Sequence, residues 1–163
     1  MTDTNGIAAD YFKGPFKGKG KNRQAIQSLE NDLETLRAEM KQTIVQFKAQ
    51  FARYRTRGAV VAPGRLKKPP ISLSIMTPRG IPLLRWRLAD PPWTPVKLFD
   101  SDNGRVILEI LSQSEIRKLA EYDRLRLYYN PRTTVVGTTL EQYRRYVKST
   151  ELLEQWLVEG AHE

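Results

Sequence analysis

Nine basic residues lie between Phe51 and Trp93: Arg53, Arg55, Arg57, Arg65, Lys67, Lys68, Arg79, Arg85 and Arg87. They face a single acid, Asp90, so the stretch holds +8 of the chain's net +9. A surface that is only solvated mixes its signs. A block this one-sided repels itself unless an anionic partner relieves it. Guanidinium groups donate in pairs to phosphate or to a guanine edge, and short hydroxyls such as Ser72 and Ser74 suit phosphate oxygens. The chemistry implied is recognition of a polyanion.

Bond-making chemistry is poorly supplied. The one histidine, His162, is next to last in the sequence, and there is no cysteine. Histidine-based triads, thiolate zinc sites and cysteine nucleophiles are therefore excluded. Asp100 and Asp102 flank Ser101 ahead of Asn103-Gly104 and read as turn residues rather than a magnesium site. The glycines at 14, 18 and 20 lack phosphate-loop spacing. Five tyrosines lie between Tyr122 and Tyr146; at helical intervals they read as half-buried packing residues rather than nucleophiles. No enzymatic activity, cofactor or metal is expected.

Four segments must position the basic groups. Residues 1–21 read as a basic flexible arm, in which Lys13 to Lys21 alternate charge with helix breakers. Residues 22–57 read as a helix of coiled-coil type. Ile26, Leu33, Met40, Phe47 and Tyr54 recur every seven residues, with Leu29 and Leu36 between them. Ile26, Leu29, Leu33, Leu36 and Met40 form a candidate seam for a homodimer; the alternative is a long amphipathic helix packed on its own domain. Gly58 ends the helix, and residues 58–70 read as a basic Pro/Gly linker.

Residues 71–159 read as an α+β domain. Ile71 to Ile75 and Leu84 to Leu88 alternate strictly, with Thr77-Pro78-Arg79-Gly80 as the turn between them. Ile71, Leu73 and Ile75 then share a core face with Leu84, Trp86 and Leu88, and Ser72, Ser74, Arg85 and Arg87 point the other way. Pro82 sets the return strand at an edge or a bulge. Val96–Phe99 with Val106–Leu111 predicts a second hairpin, or a helix over the latter. Ser112 with Glu115 has capping-box spacing for a helix to about Tyr128, closed by Asn130-Pro131. Thr138 with Glu141 repeats that signature before a last helix carrying Leu140, Tyr143, Val147, Leu153, Trp156 and Leu157. The predicted fold class is a long N-terminal amphipathic helix, a small antiparallel sheet and two C-terminal helices.

An antiparallel ribbon fits the major groove of duplex DNA. The candidate contact set is Arg65, Lys67, Lys68, Ser72, Ser74, Arg79, Arg85 and Arg87, with Arg79 at the tip. Single-strand RNA platforms need exposed aromatics, and Trp86 is predicted to face the core, which favours duplex DNA over RNA. No run approaches the ~18 apolar residues of a membrane span, and MTDTNGIAADYFKG lacks a secretory core, so a cytoplasmic protein is the expectation.

The coiled-coil helix, the strand Leu83-Leu84-Arg85-Trp86-Arg87-Leu88 and the run Glu121-Tyr122-Asp123-Arg124-Leu125-Arg126-Leu127-Tyr128-Tyr129-Asn130 together resemble small accessory (mobilisation) proteins of conjugative and integrative mobile elements. The resemblance covers about Ile71 to Lys148 in layout and residue flavour. It implies an auxiliary role in DNA mobilisation beside a nicking enzyme, and it carries over no catalytic residue. Two alternatives remain open: a coiled-coil adaptor docking an acidic protein, and an RNA- or ribosome-associated protein.

Overall fold

The computed structural model describes residues 19–51, 71–88 and 94–159. The chain is α+β. A long helix α1 (Lys19–Gln50) is followed by strands β1 (Ile71–Met76), β2 (Leu83–Leu88) and β3 (Pro95–Val96), then helices α2 (Asp102–Glu109) and α3 (Gln113–Glu159). α1 begins within the expected arm, since Lys19, Gly20 and Lys21 are already helical. The rest of the arm, the extension to Arg57 and the linker carrying Arg65, Lys67 and Lys68 lie outside the described residues. The chain divides into two compact units, one comprising Thr35–Thr134 and the other the residues up to Glu34 together with those from Val135.

The unit Thr35–Thr134 is built on the three-stranded antiparallel sheet, ordered β1-β2-β3. Its register pairs Ile71 with Leu88, Leu73 with Trp86 and Ile75 with Leu84, so the two apolar rows coincide as the alternation predicts. Phe47 is the hub of the core. Its ring stacks on Phe51 at 4.8 Å and meets Trp86 and Tyr122 edge-on at 5.4 and 5.3 Å. Such pairs contribute about 0.5–1.5 kcal/mol each beyond the area they bury. Met40, Leu98, Ile107 and Leu119 complete the cluster. Of the candidate seam, Met40 is fully buried and Leu36 packs against the core, so both serve the fold of a single chain. Ile26, Leu29 and Leu33 are half-buried.

The segment after β3 takes the helical alternative rather than a second hairpin. Ser101 caps α2 with extended backbone angles, its hydroxyl accepting from the Gly104 N–H. Asp102 stands in the first turn, where the helix dipole favours a negative charge. At the start of α3 the capping box forms in full. The Ser112 N–H donates to Glu115 Oε2 at 2.8 Å, and the Glu115 N–H donates to Ser112 Oγ at 3.3 Å.

The expected break at Asn130-Pro131 does not occur, and α3 runs through Pro131. A proline inside a helix costs about 3 kcal/mol by removing one N–H and crowding the preceding turn. Side-chain donors reach the carbonyls of two neighbouring residues. Arg132 donates to the Tyr128 carbonyl at 2.8 Å while its guanidinium lies 3.5 Å over the Tyr128 ring. The hydroxyls of Thr133 and Thr134 donate to the Asn130 carbonyl. The second expected capping box is likewise absent: Thr138 is mid-helix and donates back to the Val135 carbonyl.

Two polar residues, one on each side of a helical pair of turns, fasten α3 to β2. Asp123 Oδ1 accepts from the buried Trp86 indole at 2.7 Å. Seven residues on, Asn130 accepts from the Leu84 N–H at 2.8 Å and donates to the Leu84 carbonyl at 2.9 Å. β3 pairs only with Trp86 and Arg87, so the Asn130 carboxamide takes the place of a neighbouring strand where β3 has ended.

In the other unit, Arg144 and Glu30 pair at 2.6 Å and Leu140 is buried. The expected apolar stripe divides along its length. Tyr143 and Val147 are half-buried, whereas Leu153, Trp156 and Leu157 are exposed.

Replacing Asn130 with alanine removes both bonds to Leu84 without adding bulk. A loss of about 1–3 kcal/mol is expected, read from the urea unfolding midpoint; an unchanged midpoint would mean that water closes this strand edge equally well.

Candidate functional site

The polar row of the hairpin is assembled as the alternation predicts. Ser72 pairs with Arg87 and Ser74 with Arg85, all on the face opposite Trp86. Their exposure is unequal. Arg85 is exposed, while Ser72, Ser74 and Arg87 are half-buried. Ser74 Oγ and Arg87 Nε are themselves buried and have no hydrogen-bond partner. Arg85 is therefore the one residue of this row that presents its charge freely to solvent. Among the described residues the face shows no aromatic ring, because Trp86 is 1% exposed on the core side.

Arg79 is exposed at the tip, and its backbone is in the left-handed region at φ 53°, ψ 31°. Gly80 follows with φ 80°. The Gly80 N–H bonds the Thr77 carbonyl at 3.2 Å, and the Ile81 N–H bonds the Pro78 carbonyl at 3.1 Å. Positive φ at both central positions is the type I′ arrangement whose twist matches a hairpin. Glycine adopts it freely; an arginine there stores about 1–2 kcal/mol of backbone strain.

Sequence reasoning missed Lys97, Arg126 and Asn130, which share a cleft of about 310 Å³ with Arg85. Lys97 is exposed just after β3, and Arg126 is half-buried on α3. Arg126 Nε contacts Asp123 Oδ1 at 2.6 Å and its Nη2 contacts Oδ2 at 3.3 Å. The signal was present in part: Lys97 closes a Pro-bounded apolar pair, and Arg126 stands three residues after an acid. Nothing local to either residue brings it to Arg85.

Of the five tyrosines, Tyr122 and Tyr129 are buried in the core and Tyr128 is exposed. Tyr122 is buried and its hydroxyl donates to Gln50 Oε1 at 2.8 Å. Burial, with a smaller contribution from the neighbouring Glu121 charge, raises its pKa above the ordinary 10.0. Tyr129 is raised as well, chiefly by burial. Among the described residues no three His, Asp or Glu side chains gather as metal ligands, and no helix is long and apolar enough to cross a membrane.

No family model matches the chain, and neither a curated protein nor a solved structure matches it.

Arg79→Gly is expected to match the parent in stability or exceed it by up to about 1 kcal/mol, since relief of strain offsets the added freedom of the unfolded chain. A lower urea midpoint would show that the arginine side chain holds the turn. The raised tyrosines also set an alkaline limit. Their stabilising contribution is complete below pH 10.0, the ordinary value, and is lost as pH rises towards the higher folded-state value. Tyr122→Phe should lose about 1 kcal/mol near neutrality, through its bond to Gln50, and should show a shallower alkaline decline in thermal melts. An equal decline in both proteins would acquit Tyr122.

Proposed function

We propose that this protein is a non-catalytic DNA-binding accessory protein that contacts the phosphate backbone of a duplex through the β1–β2 ribbon and the basic connector before it. The resemblance of its layout to mobilisation proteins supports a role as an auxiliary factor in mobile-element DNA transfer. The observation that carries the reading is the hairpin register, which sets Ser72, Ser74, Arg85 and Arg87 on one face while Arg79 stands at a strained tip. Strain of this kind persists where surrounding structure enforces it and is common at functional positions. A two-stranded ribbon of this size enters a groove roughly 12 Å wide. The lack of an aromatic ring on that face among the described residues favours a duplex over single strands, which are bound by base stacking. Since Met40 and Leu36 serve the core, the reading does not require a coiled-coil dimer.

Electrophoretic shift over a salt series tests it. About five phosphate contacts give a slope of log K against log salt near −4 to −5. Replacing Arg79 and Arg85 together with alanine should lower the magnitude of that slope by about 2, at unchanged far-UV circular dichroism. Arg87 is left in place because its half-buried side chain serves the fold. Unchanged affinity and slope in the double variant would remove the ribbon from the interface.

A further inference from the structure

The cleft beside β2 has a construction that the polar row lacks. β2 is six residues long and β3 only two, so pairing stops at Trp86 and leaves a notch in the sheet edge at Leu84 and Arg85. Asn130 forms its floor, with both ends of its carboxamide committed to Leu84. Arg126 stands one turn earlier on α3, Lys97 leaves the end of β3, and Arg85 closes the third side. Pro95 and Val96 supply an apolar wall. Among the described residues no carboxylate lines the cleft.

Two of the three basic residues are anchored, Lys97 through its backbone and Arg126 by a buried partner. The Lys97 carbonyl accepts from Ser101 Oγ at 2.7 Å and from the Asp100 N–H at 3.2 Å. Gly104 lies so close that a Cβ there would collide with the Leu98 and Lys97 backbone, which presses this segment against α2. Arg126 is fixed by Asp123, and Asp123 by the Trp86 indole. The Arg126 pairing uses Nε and one Nη2 hydrogen, which leaves Nη1 free to donate elsewhere. The side chains of Arg85 and Lys97 make no hydrogen bond or ion pair with the described residues. Three cations around a concave space with one buried counter-charge are matched by a doubly charged anion, and the apolar wall suits a carbon skeleton attached to it.

We propose that the notch bounded by Arg85, Lys97 and Arg126 is a binding site for a phosphate ester, with the attached sugar against Pro95 and Val96. The inference rests on the DNA-binding reading insofar as the nearest source of such an ester is the duplex backbone; a free nucleotide carries the same chemistry. The notch lies where β2 leaves the polar row, so one backbone phosphate seated there would give the ribbon a fixed register on the duplex.

The test titrates the full 15N-labelled chain in separate arms with a short duplex, with deoxyadenosine 5′-monophosphate and with inorganic phosphate, following the Arg85, Lys97 and Arg126 signals. Salt series are run in parallel on the parent, Lys97→Ala and Lys118→Ala, the last exposed on α3 and outside the notch. Support is a duplex-induced shift at Arg85 and Lys97, with a salt slope lowered by about 0.9 in Lys97→Ala and unaltered in Lys118→Ala. Response to the nucleotide or to phosphate without any duplex binding keeps the site, assigns it to a free phosphate ester and overturns the DNA-binding reading. Duplex binding that leaves those signals and the Lys97→Ala slope unmoved overturns the notch and spares the ribbon. Silence in all three arms overturns both.

Discussion

The docking of α3 on β2 through Asp123 and Asn130 is the constraint on which the rest of the Thr35–Thr134 unit depends. The two residues are two helical turns apart and reach the same strand, one at the Trp86 indole and the other at the Leu84 backbone. A buried donor or acceptor left without its partner costs about 1–3 kcal/mol, more than the bond contributes when made. These contacts therefore select one placement of helix on strand more strongly than they stabilise it. The aromatic cluster around Phe47 supplies cohesion, because apolar contact is large in magnitude and tolerant in geometry. Position is set by the polar pair.

The same contacts explain how so short a third strand suffices. An unpaired strand edge is a template for association with other chains. β3 covers β2 for two residues, and a carboxamide from α3 closes the next one. Pro95 cannot donate to a ladder, which suits it to the rim. Ending β3 early opens the notch, while the backbone groups within it stay satisfied. The edge is thus chemically closed and sterically open, a combination that a full-length strand would not leave.

Positive charge in the described residues divides by how firmly it is held. The backbone of Arg79 is fixed by a type I′ turn and that of Lys97 by the cap of α2, whereas the Arg126 guanidinium itself is held by a carboxylate that also receives an indole. Arg87 has a buried Nε and belongs partly to the fold. Preorganised cations lose less side-chain freedom on meeting an anion than cations on free stems do. By that measure Arg126, at the notch, is better prepared for a phosphate than Arg85 is.

Much of the local structure was legible in the residues alone. Period-two alternation in Ile71–Ile75 and Leu84–Leu88 determined which side chains share a face, and a one-residue slip would have turned the apolar row to solvent. Ser112 and Glu115 determined where α3 begins, since capping is completed within four residues. Pro131 misled, because its effect was read from its own turn, whereas Arg132, Thr133 and Thr134 serve the carbonyls around it and Asn130 is held from a strand 46 residues away. Met40 suited a dimer seam by its spacing, yet the interior it enters is made by chain far from α1. The gathering of Arg85, Lys97 and Arg126 was beyond any local pattern. Alternation and capping act between neighbours in the chain and can be read from them; edge closure and the clustering of like charges arise only where the folded path returns to itself.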